Sequence, residues 1–191
     1  MSEQTALFPG STPPVTPEPT KHTEASVLAA LQRRYTESHG NGDRWAFATH
    51  VKSGAGFYDT TPGSFAYHRI ADAVAMDLWP SKGLEIHGHE IKVSRSDWLA
   101  ELKQPEKSWP VRRYCDRWWL VVSDRSIIKP GELPEGWGLM AIGERTGGAT
   151  VEQYARVVVA APKLKPEAIS RDFIAPLLRA AVKTALRKRS L

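Results

Sequence analysis

The chain has 191 residues, 41% of them apolar, and a net charge of +5. That size and composition fit one globular domain with tails and exclude a fibrous chain or a wholly disordered one. No run is apolar enough for long enough to span a membrane, and the lone cysteine, Cys115, excludes an intramolecular disulfide and a zinc site built on several thiolates.

Residues 1–22 hold five prolines and little apolar material, so a disordered N-terminal arm is expected. They also lack the basic-then-apolar order of a signal peptide, so a cytoplasmic location is expected. Thr23 can cap a helix in which Val27, Leu28, Leu31 and Tyr35 share a face, with an exit near Gly40 and Gly42. Trp45, Phe47, Thr49 and Val51 alternate with small residues, as in a strand. The glycine-containing stretch 52–68 reads as a loop, either closing over a substrate or merely connecting. Residues 70–76 and 84–93 read as an antiparallel hairpin across a turn at Pro80 and Gly83.

Ser94 or Ser96 can cap a helix near 97–103 with Trp98, Leu99 and Leu102 on one face. Pro105 and Pro110 interrupt that pattern, and a short helix fits within 106–115. The apolar run 117–123, with Trp118 and Trp119, fits a buried central strand, and Cys115 at its entrance fits a buried structural thiol. Strands are expected over 137–142 and 152–159. Asp172 can cap a last helix carrying Phe173, Leu177, Leu178, Val182 and Leu186, with Pro176 tolerable only near its first turns. Trp98, Trp109, Trp118, Trp119 and Trp137 are expected mainly in the core, although exposed tryptophans can stack bases. The fold class is therefore α/β of the mixed, α+β kind. Residues 163–191 hold eight basic and two acidic residues, a surplus of +6 that leaves the remainder near −1. That end either grips a polyanion or forms a solvated helix face.

The hairpin carries the chemistry. Side chains alternate along a strand, so Glu90 and Lys92 share a face. Pairing residues whose numbers sum to 162 sets Asp72 opposite Glu90, and a sum of 164 sets it opposite Lys92. Either even register gathers the three groups, whereas an odd one sends Asp72 to the far face. Two carboxylates beside a lysine can hold a divalent ion against a phosphodiester, or form a plain cross-strand ion pair. No glycine-rich phosphate loop and no hydrolase-triad pattern is present.

Asp72 within 69–75, Glu90 and Lys92 within 90–98, and the segments 101–103, 114–122 and 137–140 together resemble the PD-(D/E)XK nuclease superfamily. Within it, they look like the MmcB-type predicted DNA-repair endonucleases and related phage or bacterial proteins. The resemblance covers roughly residues 24 to 160. It implies a restriction-endonuclease-like αβββαβ core, with a central mixed sheet flanked by helices. The nuclease-like domain would span 23–162, and 163–191 would be a basic helical segment packed on it or extending it.

The resemblance also implies Mg2+ or Mn2+ as cofactor and DNA as partner, in a bacterial or phage-infected cell. The metal ligands would be Asp72, Glu90 and the Ile91 backbone carbonyl, with Lys92 completing the catalytic set. Where such proteins often carry a strand glutamate, this chain has His50, which is either a ligand better suited to softer ions or an ordinary strand residue. Arg69, Ser94, Arg95, Lys103 and Lys107 are the candidate nucleic-acid contacts. The expected activity is metal-dependent DNA hydrolysis in repair, recombination or phage DNA processing. The alternative is a nuclease-like module that binds nucleic acid or a protein partner without turnover, the reading that His50 favours.

Overall fold

The structure is a computed structural model that describes residues 22–37, 44–55, 69–147 and 150–189. The expected N-terminal arm, the glycine exit at Gly40 and Gly42, and most of the 52–68 loop lie outside the described residues. Helix α1 spans Glu24–Thr36, strand β1 Trp45–Lys52, β2 Ile70–Asp77 and β3 Ile86–Lys92. Helices α2 (Arg95–Leu102) and α3 (Trp109–Arg112) precede β4 (Arg117–Val122). The chain then forms β5 (Trp137–Gly147), β6 (Thr150–Val159) and α4 (Arg171–Arg189). The six strands make one sheet in the order β1-β2-β3-β4-β5-β6. The β3/β4 and β4/β5 pairs are parallel and the others antiparallel, so the fold is mixed α/β with helices flanking a mixed sheet. Among the described residues, no helix is long and apolar enough to cross a membrane.

Two cores follow from the alternation of strand side chains. On one face, Val27, Leu31 and Tyr35 of α1 pack against Phe47, Ala73, Ala75, Ile91, Trp119 and Val121. On the other, Trp98 of α2, Val111 of α3 and Phe173 of α4 pack against Val74, Ile86, Trp118, Leu120 and Trp137. Thr23 caps α1 through a capping box with Ser26. The β2–β3 turn closes at Gly83, whose φ of 86° suits glycine. Gly88 in β3 is required by close approach, since a Cβ there would lie 2.2 Å from the Trp118 ring. The buried Cys115 thiol donates to the Val111 carbonyl at 3.6 Å.

Several expectations need correction. Of the two serines expected, Ser94 caps α2, accepting the Asp97 N–H, but Leu99, expected on the packed face, faces solvent. Pro105 and Pro110 each occupy an opening position of a short helical turn, where a missing N–H costs nothing. Trp109 is half exposed, with the Arg112 guanidinium 5.7 Å from its ring centroid. Strands β5 and β6 run longer than the apolar pattern predicts, because an antiparallel ribbon with one solvated side admits polar residues such as the exposed Glu144.

The last helix differs most. Ser170, not Asp172, caps it, its hydroxyl accepting the Phe173 N–H at 3.2 Å. The Asp172 carboxylate instead accepts the Ala55 N–H. Pro176 falls inside α4 and removes one backbone hydrogen bond. The packed face is Phe173, Leu177, Ala180, Ala181 and Thr184, while Leu178, Val182 and Leu186 point outward. Thr184 explains the placement. Its hydroxyl accepts the Thr49 N–H at 3.0 Å, so α4 lies along the β1 edge and covers a backbone donor there.

Candidate functional site

The hairpin register pairs Ala73 with His89 and Met76 with Ile86, a sum of 162, which is one of the two even registers that gather the three groups. The recorded pairing stops at Ala73. Beyond it the Asp72 carboxylate takes the place of backbone, its Oδ2 accepting the Ile91 N–H at 2.6 Å. Strands β2 and β3 therefore part at Asp72, and the ends of β1, β2 and β3 open into a site.

Strict alternation does not hold there. Ala48 and Val51 share one core although they are three residues apart, and so do Ala71 and Val74. The irregularity brackets His50 and Asp72. His50 has φ of 53°, and it and Leu84 are the two non-glycine residues with positive φ among those described. A left-handed, non-glycine residue costs energy that the surroundings must supply, and such residues concentrate at functional sites.

This break lets Asp72 meet groups from both sides of the sheet. From the α1 side come Glu24 and the exposed His50, which each place one ligand atom, with Asp72, within 4.8 Å of the others. From the α2 side come Glu90 and Lys92, whose charges both act on Asp72 or are acted on by it. Lys92 Nζ lies 2.5 Å from the Glu90 carboxylate and 3.3 Å from Glu101.

The electrostatics are those of an unbalanced cluster. Burial raises the Asp72 carboxyl above its ordinary range, against the opposing Ile91 N–H and Lys92. Burial first, and the Asp72 charge second, push Glu90 up to about 7. The carboxylates of Glu90, Glu101 and Asp72 hold the Lys92 ammonium above its ordinary range despite burial. The Lys92 ammonium is thus shared by three carboxylates, with Glu24 adding a fourth negative group beyond Asp72. A divalent cation near Asp72 would offset most of that excess negative charge.

The expected site residues divide accordingly. Asp72, Glu90 and Lys92 are brought together, and His50 joins Asp72. The atom of Ile91 that meets Asp72 is its amide N–H. Glu24 and Glu101 join the cluster without having been singled out as ligands by sequence. Glu24 sits in the first turn of α1, where a carboxylate also favours the helix dipole. Glu101, which sequence places only within the segment 101–103, turns inward to Lys92.

Of the expected nucleic-acid contacts, Arg69 and Lys107 line a cleft of about 290 Å3 with Glu90 and Glu101. Lys103 is exposed at the end of α2. Ser94 is engaged as the α2 cap and with Ser96 Oγ at 2.9 Å. Arg95, expected as a phosphate contact, is engaged within the fold. Its guanidinium forks onto Glu132 and donates to the Ile127 carbonyl at 2.7 Å.

No family model, no curated protein and no solved structure matches this chain.

Proposed function

We propose that the protein is a divalent-metal-dependent deoxyribonuclease whose site is built on Asp72, Glu90 and Lys92, with Glu24 and His50 completing the ligand set. The observation that carries this reading is the charge imbalance at the strand split, where carboxylates from β2, β3 and α2 surround one ammonium and a fourth, from α1, stands beside Asp72. Hard oxygen donors suit Mg2+ or Mn2+, and the imidazole shifts the preference toward Mn2+. Asp72 keeps Oδ1 for a ligand while its Oδ2 is held by the Ile91 N–H. When bound, such an ion supplies Lewis-acid activation of a phosphate and of a water.

The chain's own groups have separable roles. Asp72 is oriented by the Ile91 N–H, so its position is set by backbone rather than by a flexible neighbour. Glu90, held up to about 7, changes protonation near neutrality, as a general acid or base must. Lys92 can stabilise charge developing on a phosphate oxygen. The carboxylate that β1 lacks at His50 is supplied from α1 by Glu24.

A second reading, nucleic-acid binding without turnover, is favoured by the double engagement of Lys92 with Glu90 and Glu101. One experiment separates the two. Labelled single-stranded, duplex, flap and junction DNA are incubated with Mg2+ or Mn2+ and the wild type, Asp72→Asn, Glu90→Gln, Lys92→Ala or Glu24→Gln. Cleavage by the wild type, faster with Mn2+ and lost in the Asp72, Glu90 and Lys92 variants with circular dichroism unchanged, is the expected result. Undiminished cleavage in those variants refutes the assigned chemistry. Binding with no cleavage of any form leaves the second reading.

A further inference from the structure

The cleft between β1 and α4 has no role in the chemistry above, yet it opens onto the same site. Its volume is about 250 Å3, and Thr49, His50, Lys52, Arg179, Lys183 and Arg187 line it. The lining contains no carboxylate, unlike the cleft that holds Glu90 and Glu101 on the other side. His50 belongs both to this cleft and to the cluster with Glu24 and Asp72.

We propose that this cleft holds the sugar–phosphate backbone of a nucleic-acid strand and leads it to Asp72. The spacing of the charges supports this. Arg179, Lys183 and Arg187 stand four residues apart on one ridge of α4. Successive cations are therefore offset by about 6 Å along the helix axis, comparable to the step between phosphates of an extended strand. Like charges at this spacing destabilise an isolated helix, so helix stability does not account for the row. Among the described residues, no ion pair engages Arg179, Lys183 or Arg187. The Thr184–Thr49 hydrogen bond clamps the ridge to β1 one residue before His50, which fixes the row relative to the site. At about 250 Å3 beside a strand edge, the cleft fits one backbone rather than a whole duplex.

That the polyanion is nucleic acid rests on the nuclease reading; the cation row does not. The test uses the full chain in EDTA with a fluorescein-labelled single-stranded DNA oligonucleotide, read by anisotropy at several salt concentrations. The pair Arg179→Glu/Lys183→Glu is compared with Lys82→Glu/Lys165→Glu, an equal charge change at exposed residues near the opposite end of the sheet. The cleft pair is expected to weaken binding about ten- to a hundredfold and to flatten the salt dependence by a slope of about 1.4 or more, and the control pair to lose about twofold or less. Arg179→Gln/Lys183→Gln should lose an intermediate amount, and this milder pair carries the test if the reversed pair misfolds. Equal losses in the cleft and control pairs, or no binding by the wild type, overturn the proposal. DNA cleavage unchanged by the cleft substitutions overturns it while leaving the nuclease reading intact. Cleft-dependent binding with no cleavage under Mg2+ or Mn2+ supports the cleft and overturns the nuclease reading.

Discussion

Replacing Glu90 by glutamine removes a charge that the fold holds at a cost. The Glu90 carboxyl is held up to about 7 against an ordinary 4.5, by burial and by the negative charge of Asp72. Between those two pH values the folded state binds more protons than the unfolded state. Stability is therefore greatest below 4.5 and falls as pH rises through about 7. At 1.36 kcal/mol per pH unit, the loss is about 3 kcal/mol. The side chain is only 15% exposed, so solvent screening removes little of this. Glutamine has nearly the same shape and no charge to bury, although it gives up the Lys92 ion pair. The variant should thus match or fall slightly below the wild type at pH 4.5 and exceed it by about 2–3 kcal/mol at pH 8, where the wild type bears the full cost. Urea unfolding in EDTA at the two pH values measures the difference, and groups common to both proteins cancel. Adding Mn2+ at pH 8 should raise the wild-type midpoint and leave the variant nearly unchanged. If Glu90→Gln is equally destabilised at both pH values, Glu90 is a satisfied partner of Lys92 and the charge-imbalance reasoning fails.

Two more outcomes test the frame around the site. On the α1 face, burial pushes His87 down to about 4 and His89 well below its usual range, and both rings hydrogen-bond the Tyr35 hydroxyl. Their contribution to stability is present above pH 6.5 and lost as pH falls through about 4, about 3 kcal/mol from His87 alone. This opposes the Glu90 trend, so Glu90→Gln should expose it as a steep fall in urea midpoint between pH 6.5 and 4; a flat profile in that variant would contradict a neutral buried His87. Gly88→Ala places a Cβ 2.2 Å from the Trp118 ring and 2.9 Å from Cys115 Sγ, both buried. Overpacking of that kind should cost about 2–3 kcal/mol, a fall in Tm of about 5–10 °C, and an unchanged Tm would show that the β3–β4 contact is looser than described.

Much of the frame is legible in the order of residues because its causes are local. Thr23 followed by Val27, Leu31 and Tyr35 specifies a capped amphipathic helix without reference to anything distant. The two-residue period of strands says that either even register of β2 and β3 gathers the three groups, and the structure takes the one that sums to 162. Hence Asp72, Glu90 and Lys92 can be placed near one another from sequence.

What sequence leaves open is decided by contacts between segments far apart in the chain. Glu24 reads as a first-turn helix acid until α1 sets it beside His50 and Asp72. Arg95 reads as a phosphate contact until the segment after β4 brings Glu132 to its guanidinium. The α4 sequence has apolar residues on two faces, and its periodicity does not say which one packs. Only Thr184 on the β1 edge and Phe173 in the core turn Leu178, Val182 and Leu186 outward and align Arg179, Lys183 and Arg187 along the cleft. The physical reason is the same in each case. Local pattern fixes which atoms share a face, but the charge a group meets depends on which remote backbone is packed against that face.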